Sequence, residues 1–162
     1  MLPRFEHILV PVDFTGKNRA ALDIAFEMAQ QNQARTSLLH VVEQIDVAPD
    51  GDDELNRFYE QLVQRADTDL ETMTQPFSGA GLDVEHKVRV GKRVREIIRF
   101  VEQHKVDLVV LSSHPIDLAR PGPSMATVSY QVSLFCRCPV LMVKQDSPEQ
   151  PHGPDTSAIG GI

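Results

Sequence analysis

The sequence predicts a parallel α/β sheet in which five strands alternate with four helices. Short apolar runs rich in β-branched residues alternate with stretches whose apolar positions recur at three and four. Most of the short runs are apolar on consecutive positions, as strands covered on both faces are. With 162 residues, 41% of them hydrophobic and 24% charged, the chain has apolar material for one core, so one domain is expected.

His-Ile-Leu-Val-Pro-Val-Asp at 7–13 reads as the first strand, with Pro11 near its end because proline breaks a central ladder. From Asn18 the apolar positions Ala21, Leu22, Ala25, Phe26, Met28 and Ala29 give a helix to about Gln31, capped by Asn18 or Thr15. The second strand is 36–42, and the acidic stretch 43–53 with Pro49-Asp50-Gly51 is a loop. Leu55, Phe58, Tyr59, Leu62, Ala66, Leu70 and Met73 mark a long amphipathic helix, expected to stop at Pro76 and the Gly79-Ala80-Gly81 turn. Apolar and polar residues alternate over 84–90, which suits a strand near a sheet edge. Val94, Ile97, Ile98 and Val101 give a helix to His104, and 106–112, the most apolar run, is expected to be central. A helix over about 125–135 and a strand over 139–143 complete the α/β domain, set at 1–146. Residues 147–162, rich in proline, glycine and polar side chains, are expected to form a flexible tail.

A net charge of −7 argues against broad contact with nucleic acid or an anionic membrane, both of which need concentrated positive charge. Cys136 and Cys138, one residue apart, supply neither a disulfide framework nor four zinc ligands, and a reducing compartment fits them. The amino-terminal residues lack the pattern of a secretory leader, and no apolar run reaches the roughly 20 residues of a membrane span. A cytoplasmic location is expected.

Four segments together carry a family resemblance: His-Ile-Leu-Val-Pro-Val-Asp-Phe-Thr at 7–15, Leu-Leu-His-Val-Val-Glu at 38–43, the helix from Gly91 to His104 leading into Val-Asp-Leu-Val-Val-Leu-Ser-Ser-His, and Cys-Pro-Val-Leu-Met-Val at 138–143. In order and spacing they resemble the universal stress protein family over residues 5–144. The resemblance implies a three-layer, Rossmann-like fold of the adenine-nucleotide alpha-hydrolase type, strand order 3-2-1-4-5, and a homodimer paired through the last strand. Many members bind ATP through a loop after strand four, in which glycine, two residues, glycine and about nine further residues precede a glycine followed by serine or threonine.

This chain departs from that loop. Taking His114 as the histidine that often precedes it puts Pro115 and Leu118 on the first two glycines, and Ala126-Thr127 on the final pair. Proline has no N–H to offer a phosphate, and a leucine side chain is expected to fill space that phosphate oxygens need. Pro121 and Pro123 remove two more donors. The expectation is a stress-associated regulatory or interaction protein without strong ATP binding or a bound cofactor, acting as a homodimer and with an unidentified protein as a further partner. The alternative is an ATP-binding member with weak ATPase activity, its nucleotide held by Asp13, Val42, Ser113, Ser124 and Thr127. Asp13 matches the aspartate that lies near adenine and ribose in nucleotide-binding members, and it also reads as a loop-capping carboxylate.

Other chemistry finds little support. Ser112-Ser113-His114 lies at a strand end, but a nucleophile elbow needs flanking glycines that are absent. His114 is read as a loop histidine bonded to backbone, and no catalytic residue is assigned. His7, His40, His86 and His104 are scattered without the i,i+4 spacing of a helical zinc site, so no metal site is assigned. Cys136 and Cys138 read as small buried hydrophobes, since a disulfide across one residue is strained. An apolar last strand left open would recruit other chains, which makes Val140, Leu141, Met142 and Val143 the candidate dimer seam, supported by Val128 and Val132.

Overall fold

A computed structural model describes residues 4–45, 53–116 and 118–144, with the backbone alone at 123 and 124. The elements run β1 (His7–Pro11), α1 (Asn18–Asn32), β2 (Arg35–Glu43), α2 (Asp53–Gly79), β3 (Val84–Gly91), α3 (Arg93–His104), β4 (Leu108–Ser113), α4 (Pro121–Met125), α5 (Val128–Phe135) and β5 (Val140–Lys144). All strands are parallel, in the order β3-β2-β1-β4-β5. The most apolar strand, β4, is interior as expected, but β1 holds the centre.

Strand alternation sorts the core into two layers. Ile8, Val10, Leu38, Leu108 and Val110 point to one face and meet Ala21, Ala25 and Ala29 of α1 and Leu70 of α2. Leu9, Leu39, Val41, Val109 and Leu111 point to the other and meet Ile97, Phe100 and Val101 of α3 and Val132 of α5. The alanine stripe of α1 lets that helix lie close to the sheet. Pro11 costs the β1–β2 ladder nothing, because the residues on either side of it face β2, Val12 N–H bonding to Leu39 O at 2.9 Å; its missing donor faces the β4 side, where the register ends at Leu9 and Val109.

Three local expectations are corrected. Pro76 lies inside α2, which runs on to Gly79; only the final turn follows it, so the lost donor is a local defect. Lys17, not Asn18 or Thr15, occupies the position before α1 and gives no side-chain cap, because the Asn18 amide bonds elsewhere. The helix expected over about 125–135 starts only at Val128 as α5, capped by the Thr127 hydroxyl, and the short α4 precedes it within the expected loop. The tail 147–162 and the acidic residues 46–52 lie outside the described residues.

At the amino ends of the strands a polar chain crosses the sheet. His7 Nε2 lies 2.7 Å from Ser37 Oγ, Ser37 Oγ donates to Glu85 Oε1 at 2.8 Å, and Arg35 reaches Glu85 Oε2 at 2.7 Å. Burial acts to raise the Glu85 pKa, but the Ser37 hydroxyl and the positive charges of Arg35, Lys87 and His7 outweigh it, and the net shift is downward. A carboxylate with a depressed folded pKa stabilises the fold above its unfolded pKa and loses that contribution as pH falls through the folded value. Glu85→Gln is therefore expected to cost about 1 kcal/mol at pH 7. Urea denaturation in increasingly acid buffer should show the gap from wild type closing.

Candidate functional site at the sheet switch point

From β1 the chain winds to β2 and β3 on one side, and β4 and β5 lie on the other. In such sheets the crevice beyond the carboxyl ends of the two diverging strands is the usual ligand site. Here that crevice is a cavity of about 360 Å³, lined from β1, α1, β2, α3, β4 and the start of α5.

The β1–α1 loop makes one wall. Asp13 Oδ1 accepts from Thr15 N at 3.0 Å and Thr15 Oγ1 at 2.6 Å, the bonds of a loop-capping carboxylate. Between them Phe14 is left-handed at φ 60°, an uncommon state for an aromatic residue that typically stores about 1–3 kcal/mol. Its ring lies 4.4 Å from that of His40, which is itself held by the Val12 carbonyl 2.8 Å from Nδ1. Asn18 is buried and ties the wall to β4, its Oδ1 accepting from Asp13 N at 2.9 Å and its Nδ2 donating to Ser112 Oγ at 3.2 Å.

The opposite wall is the end of β4 with the first turn of α5. Ser113 Oγ receives bonds from Lys144 Nζ at 2.9 Å and Ser129 Oγ at 3.3 Å, and Thr127 Oγ1 lies 3.3 Å from Ser129 Oγ. Lys144 is the register partner of Ser113 on β5, so parallel pairing alone brings the ammonium here. Lys17 Nζ sits 3.0 Å from His114 Nε2. Three hydroxyls, the Lys17 ammonium and the amino end of α5 thus line one end of the cavity, with Lys144 bonded to Ser113 from outside the lining, a setting that favours an anion.

No nucleophile is activated in this arrangement. An ammonium donating to Ser113 cannot also take its proton, and His114 turns to Lys17 rather than to a serine or, as expected, the backbone. Among the described residues no three His, Cys, Asp or Glu side chains group to hold a metal ion.

Of the sequence candidates, Asp13, Ser113 and Thr127 line the cavity. Val42 does not: alternation along β2 turns it to the far face, and Val41 takes the place assigned to it. The Ser124 side chain lies outside the described residues. Leu118 also corrects an expectation, being 92% exposed and off the cavity rather than filling it. Lys17, Asn18, His40 and Ser129 also line the cavity and were not among the sequence candidates, nor was Lys144, which bonds Ser113 from outside the lining. Lys17, Asn18 and Ser129 stand at helix starts after strand-end loops, the signal that could have found them.

At the sheet's far edge, β5 pairs only with β4 among the described residues. Leu141 is 38% exposed there, and at the end of α5 Leu134 and Phe135 are 62% and 65% exposed. Val143 and Val132, expected as seam and support, are buried in the core of the single chain, so their side chains would add little contact to a seam along β5. Cys136 and Cys138 are half-buried with their sulfurs 3.4 Å apart, and burial, followed by the bond to Cys136, pushes the Cys138 thiol up to about 12. No helix among the described residues is long and apolar enough to cross a membrane.

The same sheet occurs in known proteins. The chain is 26% identical over 148 residues to the universal stress protein YxiE of Bacillus subtilis, covering 86% of this chain and 99% of that protein. The structure of universal stress protein UspA from Lactobacillus plantarum superposes with a TM-score of 0.68 at 23% identity, covering 88% of this chain and 99% of the other. That of the universal stress protein from Archaeoglobus fulgidus in complex with dAMP gives 0.54 at 18%, covering 85% and 97%. The sequence model of the universal stress protein family matches residues 4–144, every strand of the sheet and every wall of the cavity, and the chain belongs to that family.

Proposed function

We propose that the protein is a dimeric cytoplasmic regulator whose switch-point cavity binds an adenine mononucleotide and performs no chemical step. The observation that carries this reading is the set of Ser113, Thr127 and Ser129 hydroxyls beside the amino end of α5, with the Lys17 ammonium on the same cavity wall, donors matched in scale to a single phosphate. A triphosphate needs a longer run of amide donors, and Pro115 and Pro121 supply none in the adjoining loop. A cavity of about 360 Å³ is at the small end of ligand pockets. The dAMP bound by the Archaeoglobus relative supports the choice of base. Asp13 stands on the wall away from the hydroxyl cluster; Oδ1 serves Thr15, and a carboxylate retains further acceptor sites for ribose or base.

Thermal unfolding with adenosine monophosphate tests it. At about 100 times its dissociation constant a ligand adds roughly 2.7 kcal/mol, a rise of some 5–10 °C in a domain of this size. Asp13→Ala is expected to weaken binding about tenfold. A larger shift with Mg-ATP than with the monophosphate would favour the alternative, an ATP-binding protein with weak ATPase activity. No shift with either would leave a purely protein-directed role.

A further inference from the structure

We propose that Cys136 and Cys138 form a dithiol site for trivalent arsenicals. They are the only cysteines in the sequence. Both sit in the short connection between α5 and β5, whose ends are pinned by Cys136 N–H to Val132 O at 2.9 Å and Val109 N–H to Pro139 O at 3.0 Å. Both pack against the core face built by Val109, Val106 and Val132, and both keep part of their surface in solvent.

The gap between the sulfurs selects the occupant. At 3.4 Å the sulfurs are in the contact of two reduced thiols, and closing them to the roughly 2.05 Å of a disulfide across one intervening residue would strain the turn. Zinc needs four ligands, and among the described residues no third thiol, imidazole or carboxylate joins the pair. A two-coordinate ion bonded in a line at about 2.3 Å would force the sulfurs to roughly 4.6 Å. With bonds of that same ~2.3 Å length, the observed 3.4 Å corresponds to an angle of about 95° at the bridging atom. Trivalent arsenic, whose lone pair holds three ligands in a pyramid, bonds near that angle.

The reaction is a condensation. An arsenic–oxygen double bond is lost, two arsenic–sulfur bonds form, and the oxygen leaves as water with both thiol protons. No electrons change hands, so no oxidant is required. The raised Cys138 pKa keeps that thiol in the protonated form the condensation consumes. Because the second bond closes within one chain, the chelate outlasts any adduct made through a single thiol.

Phenylarsine oxide and the reduced full-length protein provide the test, read by intact mass. The expected result is one phenylarsine per chain, retained in excess monothiol and removed by dithiothreitol. Cys136→Ser and Cys138→Ser should each retain at most about a tenth as much after the monothiol wash. Should either serine variant fail to fold, Cys136→Ala and Cys138→Ala serve, since alanine needs no hydrogen-bond partner. No adduct on the folded protein, an adduct washed off by monothiol, or undiminished retention by either single variant would overturn the assignment.

Discussion

Alanine in place of Phe100 is expected to lower the unfolding free energy by about 3–5 kcal/mol and the melting temperature by roughly 10 °C. Phe100 is fully buried on the face that α3 packs against the sheet, in one cluster with Leu9, Leu39 and Val109. Its ring also organises charge: the Arg89 guanidinium lies 5.0 Å from its centroid, and His104 stacks on it at 4.1 Å. Arg89 in turn faces the buried Glu96 at 3.5 Å, so the void would loosen an ion pair as well as a packing contact. Because α3 carries Arg93 and Ile97 to the cavity, ligand affinity should fall with stability. Phe100→Leu, which keeps most of the volume, should cost less than half as much. Urea denaturation of both variants, with nucleotide titration of each, would measure these effects; a loss below about 1 kcal/mol for alanine would mean that the face collapses around the void.

The double variant Phe135→Arg, Leu141→Arg is expected to raise the dissociation constant of the proposed dimer by at least about 100-fold, on the scale of two interface anchors lost. These side chains are 65% and 38% exposed in the single chain; Leu141 lies on β5, the strand with an open edge, and Phe135 at the end of α5, the helix that precedes it. Pairing two such edges across a two-fold axis would bury both. Since neither is a core residue, the separated subunit should keep its unfolding free energy to within about 0.5 kcal/mol. Sedimentation analysis across a concentration series reads the result. A double variant that stays dimeric would place the seam elsewhere.

The sheet was legible because its signal is local and repeated. Each strand announces itself by consecutive apolar residues, and Val84 to Val90, by alternating, identified itself as an edge. What could not be read depends on which way a side chain turns at the end of an element. Val42 and Val41 are equally apolar neighbours, yet only one reaches the cavity. Leu118 looked obstructive because an aligned position says nothing of its direction. Lys144 reaches the site's Ser113 only through strand pairing with a residue 31 positions away, which no local pattern encodes. Proline punctuation misled in the same way: Pro76 suggested an ending because its position relative to the last helical turn was not visible.

The central position of β1 also bears on how the protein is made. His7 pairs with Arg35 early in the chain, but the other edge of the same strand waits for Leu108, the partner of Ile8. At a synthesis rate of about 5–20 residues per second, roughly 5–20 s separate the emergence of those two partners from the ribosome. During that interval Ile8, Leu9 and Val10 present an unpaired, apolar backbone edge to the crowded medium around the nascent chain. Holding that edge, rather than the finished surface, is what a chaperone would do for this protein.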